Sequence, residues 1–173
     1  MGADDIEIEA DAGASGPASG PALRVVLTFE EVYRAHYDRM IRVAFMMTGS
    51  NEAAEDIVQD AFVGLYARFD RLAEPTPYLR RSVVNGCLAR GRRRRIVQRL
   101  GHLTASDAAA SLEIDETWSV LKRLPARRRA AVVLRFYVDL PLAEIAVILG
   151  CKTGTVKSML SRALSELREV VEP

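Results

Sequence analysis

LPLAEIAVILGCKTGTVKSMLSRALSELRE, residues 140–169, is the stretch on which the fold turns. Leu142, Ile145, Ala146 and Leu149 recur at helical spacing until Gly150 breaks the pattern, and a second apolar face follows through Val156, Leu160, Leu164 and Leu167. The other side of that second helix is basic and hydroxyl-rich: Thr155, Lys157, Ser158, Ser161, Arg162 and Ser165. Two helices about a tight turn expose the second for insertion into a DNA major groove, because its apolar side packs down while its polar side meets an anion. An ordinary helical hairpin with a solvated charged face is the alternative that this stretch leaves open.

Working outward, Glu116–Leu124 and Pro125–Tyr137 read as two further helices, with Pro125 at a helix-starting position and Asp139-Leu140-Pro141 as the break before the hairpin. Residues 100–115, LGHLTASDAAASLEID, are small, polar and acidic, and read as a flexible or partly helical linker. Towards the other end, Thr28 is placed to cap a helix with Glu31 at the capping-box position, and Gly49 to end it. The expected buried side of that helix is Phe29, Val32, Tyr33, Met40, Ile41, Ala44 and Phe45. Ser50 caps the next helix, running to about Phe69 on a stripe of Ile57, Val58, Ala61, Phe62, Leu65 and Phe69. Its other face, Glu55, Asp56, Gln59 and Asp60, is either plain surface or a docking patch for a basic partner. A third helix is expected from Pro77, capped by Thr76, through Tyr78, Leu79, Ser82, Val83, Gly86 and Cys87 into GRRRR. Tyr78, Asn85 and the arginines could stack on bases, bond their edges and hold phosphates; alternatively Tyr78 is core and Asn85 merely solvated.

No convincing strand occurs, so the expected class is all-α: two small helical domains, 25–99 and 116–173, joined by a flexible linker. Residues 1–24, rich in Gly, Pro, Ala, Ser and acids, are expected to be disordered. The net charge of +1 hides an asymmetry: residues 1–12 carry five acids and no base, which leaves a balance of +6 over residues 13–173. Arg90, Arg92, Arg93, Arg94, Arg95 and Arg99 form one basic cluster, and Lys122, Arg123, Arg127, Arg128 and Arg129 another, an arrangement suited to a polyanion. No uncharged apolar run is long enough to span a membrane, and the acidic start resembles no signal peptide, so an intracellular protein is expected. Cys87 and Cys151 match no metal spacing, and His36 and His102 stand apart from any ligand pattern. Without phosphate-loop, dinucleotide, zincin or nucleophile-elbow motifs, neither an active site nor a cofactor is expected.

AAEDIVQDAFVGLYARF, PTPYLRRSVVNGCLARGRRRR and VLKRLPARRRAAVVLRFYVDLPLAEIAVILGCKTGTVKSMLSRALSELR stand in one order over residues 28–170. Together they resemble a bacterial sigma-70-family factor of the extracytoplasmic-function type, close to the actinobacterial sigma-E-like group. The resemblance implies a non-catalytic specificity subunit of RNA polymerase, cytoplasmic and nucleoid-associated when in holoenzyme. Its first domain would bind core polymerase at the clamp helices of the beta-prime subunit, then recognise and help melt the −10 element. Its second domain would read the −35 element beside the beta flap, and an anti-sigma factor is an implied partner. Asp56, Gln59 and Asp60, with Phe62 beneath, match the polymerase-docking helix. Tyr78, Arg80, Arg81, Asn85 and Arg92 match positions along the melted −10 strand. Arg128, Arg135, Lys152, Thr155, Lys157, Ser158 and Arg162 match or adjoin the DNA-facing positions of the second domain.

Three departures bear on which −35 sequence is read. Pro141 stands where the family commonly has a capping Ser or Thr, Met159 where it commonly has Arg, and Cys151-Lys152 is an unusual pair before the GTVK run. Two rivals remain on the residues alone. A dimeric helix-turn-helix repressor or activator would explain residues 140–169 but leave Asp56–Asp60 and the YLRR helix without roles. An all-helical interaction protein, such as an antagonist or adaptor, would leave the basic faces merely solvated.

Overall fold

The computed structural model describes residues 27–99 and 112–171, and all regular structure in them is helical. The expected disordered tail lies outside the described residues, as does most of the expected linker.

The first domain is three helices. α1, Phe29–Thr48, begins on the anticipated capping box: the Thr28 hydroxyl accepts from Glu31 N–H, and the Glu31 carboxylate accepts from Thr28 N–H at 2.7 Å. It ends at Gly49, whose φ of 72° is the left-handed conformation that only glycine adopts without strain. α2, Asn51–Tyr66, starts from the Ser50 cap and stops three residues short of Phe69, which instead opens a 3₁₀ turn through Arg71. Its apolar stripe is buried as read, from Ile57 to Leu65. α3, Pro75–Arg99, begins two residues before the expected start, because Pro75 is itself preset for a first helical turn. Thr76 is therefore inside the helix and not its cap; its hydroxyl lies 3.1 Å from His36 Nε2.

The second domain holds α4, Leu112–Leu121, α5, Ala126–Val132, α6, Leu142–Leu149, and α7, Thr153–Val171. α4 thus takes in the last residues assigned to the linker. α5 passes into a π turn, Val133–Tyr137, held by Val138 N–H on the Val133 carbonyl. Pro125 and Pro141 are the N-caps of α5 and α6 and supply no side-chain bond. Gly150, at φ 59°, closes α6, and the Arg127 guanidinium donates to the Leu149 carbonyl at 2.6 Å, satisfying one orphan group of the turn. The buried row of α7 is Val156, Leu160 and Ala163, with Leu167 half-buried; Leu164, expected inside, is exposed because it sits one position round from that row.

The two domains share one continuous apolar core. Trp118 of α4 lies against Gly49, where a Cβ would fall 2.1 Å from the indole, so the close approach itself requires glycine. Arg129 of α5 stacks over Trp118 at 4.7 Å and donates to the Met47 carbonyl at 2.7 Å. Arg39 of α1 donates across to the Tyr137 and Val138 carbonyls at 3.1 and 3.0 Å. This seam is an addition to the beads-on-a-linker picture: the domains are packed together.

Candidate nucleic-acid and partner-docking interfaces

α2 turns Asp56, Gln59 and Asp60 to solvent, while Phe62 is buried beneath them. Asp56 lies 3.8 Å from Arg90 of α3, so part of its charge is already answered within the domain. The row continues, at helical spacing, through Val63 and Tyr66, which are 70% and 69% exposed. Tyr66 packs edge-on against Phe29, whose ring also meets Phe62 and Phe69. Tyr33, read as buried, is 39% exposed and joins the same aromatic patch. An acidic row grading into an exposed apolar one is the form of a protein-docking surface. Val63 and Tyr66 were missed as site candidates; their signal was apolar residues falling on the polar side of the α2 stripe.

α3 divides its candidates. Arg81, Asn85 and Arg92 are exposed and share one face at helical spacing. Tyr78 lies at the start of that face but is half-buried, with its hydroxyl 3.4 Å from the Gly64 carbonyl, so the core alternative for its ring is the one the structure displays. Arg80 points the other way. Its guanidinium is 3.8 Å from Glu144 of α6, across the seam, and burial followed by neighbouring Arg39 weakens its hold on a proton, against the attraction of Glu144. His36 lies in the same corner, its pKa lowered by burial first and then by Arg80 and Arg39.

In the second domain, Arg128, Lys152, Thr155, Ser158 and Arg162 line one open groove with Gly154 and Met159. Arg128 comes from α5 and the rest from the turn and first half of α7, so the groove crosses the exposed side of the helix-turn-helix. The Ser158 hydroxyl donates to the Gly154 carbonyl at 3.1 Å, which leaves its lone pairs outward. Lys157 is exposed but outside this lining. Arg135 is outside it too: its guanidinium bonds the Leu140 carbonyl at 3.1 Å and lies 3.5 Å from Asp139, stapling the turn before α6. Cys151 is half-exposed in the Gly150 turn, whereas Cys87 is buried, which pushes its thiol pKa up to about 12. Among the described residues no group of His, Cys, Asp and Glu is placed to hold a metal ion, and no helix is long and apolar enough to cross a membrane.

Residues 32–96 match the family model described as sigma-70 region 2, and residues 114–167 that described as sigma-70, region 4. The chain is 35% identical over 159 residues to an RNA polymerase sigma-E factor of Streptomyces avermitilis, covering 85% of this chain and 87% of that one. To the ECF RNA polymerase sigma factor SigM of Mycobacterium tuberculosis it is 32% identical over 83% of this chain and 76% of the relative. Among solved structures it is similar to the sigma factor RpoE of Bartonella quintana, crystallised with the anti-sigma factor NepR. That match has a TM-score of 0.72 and 27% identity, and covers 83% of this chain and 96% of that one. CnrH, solved with the cytosolic domain of CnrY, shares the fold at a TM-score of 0.65 and 24% identity.

Proposed function

The chain belongs to the sigma-70 family, in its extracytoplasmic-function branch, and from that premise we propose how its surfaces divide the work of promoter selection. It directs RNA polymerase to promoters, the first domain binding the −10 element and the second the −35 element. Sigma factors are specificity subunits of the polymerase. This one does no covalent chemistry of its own; the nucleotidyl transfer and its metal belong to the core enzyme.

The observation that carries the assignment is the order of faces: a docking row on α2, a basic face on α3 and a hydroxyl-and-arginine groove on α7. Asp56, Gln59 and Asp60, extended by Val63 and Tyr66, bind the clamp helices. The acidic end suits a basic partner and the apolar end gives buried area at the centre of the contact. Arg81, Asn85 and Arg92 follow the −10 strand, Asn85 bonding an unstacked base edge and the arginines its phosphates. Opening a base step costs a few kcal/mol, which pocket contacts and polymerase binding together offset. Arg80 joins this face only once its contact with Glu144 is released, and Tyr78 supports the face from beneath. Arg128, Lys152, Thr155, Ser158 and Arg162 meet the −35 element, with Lys157 flanking them and Arg135 acting through the turn it staples.

A protein of this kind works in the cytoplasm, at the nucleoid when in holoenzyme, and an anti-sigma factor of the sort seen with the Bartonella relative is an expected partner. The repressor alternative is disfavoured by the α2 row, for which it has no use. Purified chain, core RNA polymerase and a genomic promoter library test the assignment, with polymerase alone as control. Transcripts starting at sites that share −35 and −10 elements are expected. Binding to core without initiation would make the chain an antagonist, and operator binding without polymerase would restore the repressor.

A further inference from the structure

Glu166 is the only acid among the described side chains of α7, and it follows Thr155, Ser158, Met159 and Arg162 along the row that lines the groove. An acid beside a phosphate-facing surface opposes binding through its charge. Its contact explains its place. Glu166 Oε1 accepts from Nη1 of Arg128, joining α5 to α7, with the two side chains 43% and 26% exposed. Occupying Nη1 leaves the Nε–H and Nη2–H edge of the guanidinium open, and that two-pronged edge is the one that matches a phosphate bidentately. A guanidinium already tethered loses fewer rotamers on binding, so its contact is made in one orientation.

Resting on the assignment of Arg128 to the −35 contact, we propose that Glu166 is a positioning residue for promoter recognition. It holds the Arg128 fork against one DNA phosphate and so sets the register in which α7 meets the bases. A phosphate contact carries no sequence information directly, but the register it imposes decides which base edges Thr155, Ser158 and Arg162 reach.

The test uses the full chain bound to core polymerase, with promoters carrying either the selected −35 element or a scrambled one. Glu166→Gln keeps the shape and removes the charge. It is expected to lower the ratio of selected to scrambled binding by about fivefold, while scrambled binding holds or tightens. Glu166→Asp should restore most of the ratio, and in an Arg128→Ala background Glu166→Gln should no longer change it. Equal tightening on both promoters would reduce Glu166 to bulk charge and overturn the proposal. So would a changed thermal midpoint with an unchanged ratio, which marks a brace between helices only, or a fall in the ratio that persists without Arg128. A wild-type complex that selects no promoter at all would instead defeat the sigma-factor assignment beneath it.

Discussion

Arg129 carries more of this structure than its place in an arginine run suggests. Burial lowers its pKa to about 10, with Arg95 adding repulsion, yet it stays cationic at neutral pH and has a carbonyl and an indole face to meet it. Its Nε is buried without a partner. Arg129→Met leaves the Met47 carbonyl without its donor and is expected to cost about 1–3 kcal/mol in urea unfolding. Gly49 and Gly150 make a controlled pair. Both have positive φ, but a Cβ at Gly150 meets open space while one at Gly49 strikes Trp118. Gly150→Ala should cost about 1–2 kcal/mol for the left-handed backbone alone. Gly49→Ala should cost clearly more, and equal losses would show that Trp118 does not rest there in solution. His36 adds a pH dependence. Its folded pKa is lowered, so as pH falls the unfolded chain takes up the proton first. Its contribution is complete above the ordinary histidine value of about 6.5 and is lost as pH falls through the folded value. Thermal midpoints from pH 7.5 down to 5.5 should fall less steeply in His36→Gln than in the wild type.

Among the helices, what the sequence disclosed and what it concealed follow a physical division. Local signals were legible: the Thr28–Glu31 box, Ser50 and the two turn glycines act as read, because each is settled within a few residues of chain. The grouping of the groove residues was legible too, since helical spacing alone gathers Thr155, Ser158 and Arg162 on one side of α7. Contacts between elements were not. Nothing near Tyr33 says that its ring meets solvent, near Arg135 that it staples a turn, or near Arg80 that α6 will claim it. For α2 the exposed apolar end is the telling addition. Val63→Lys changes a side chain that is 70% exposed, so stability should move by no more than about 0.5 kcal/mol. Affinity for core polymerase, measured by titration, should nevertheless fall at least about tenfold, because a buried apolar contact becomes a charge opposite a basic partner. Unaltered affinity would confine the docking surface to the acidic residues.

At the scale of the whole molecule the seam sets a geometric demand. Promoter elements named −35 and −10 lie about 25 base pairs apart, roughly 85 Å along straight duplex. A compact chain of this length has a radius of gyration of about 16 Å, so its packed form cannot touch both at once. The domains must part on the polymerase, which separates Arg80 from Glu144. Arg39→Ala with Arg129→Ala should therefore raise the radius of gyration seen by solution scattering and shift the emission of Trp118, the only tryptophan, to the red. A wild-type profile already as extended as the double variant would mean that the seam does not persist in solution.

The acceptors of that seam are largely main-chain carbonyls: Met47 for Arg129, and Tyr137 and Val138 for Arg39. A carbonyl survives every replacement of the side chain beside it. Random mutagenesis selected for domain opening would accordingly return a lopsided spectrum, crowded at codons 39, 49, 118 and 129, and would reach 47, 137 and 138 only through the packing of their own side chains. Second-site suppressors would be scarce as well, because a lost donor leaves no side chain opposite it to revise. The hydrogen bonds of the seam therefore fix the identity of their donors, Arg39 and Arg129, and leave the acceptor positions to be constrained by packing alone.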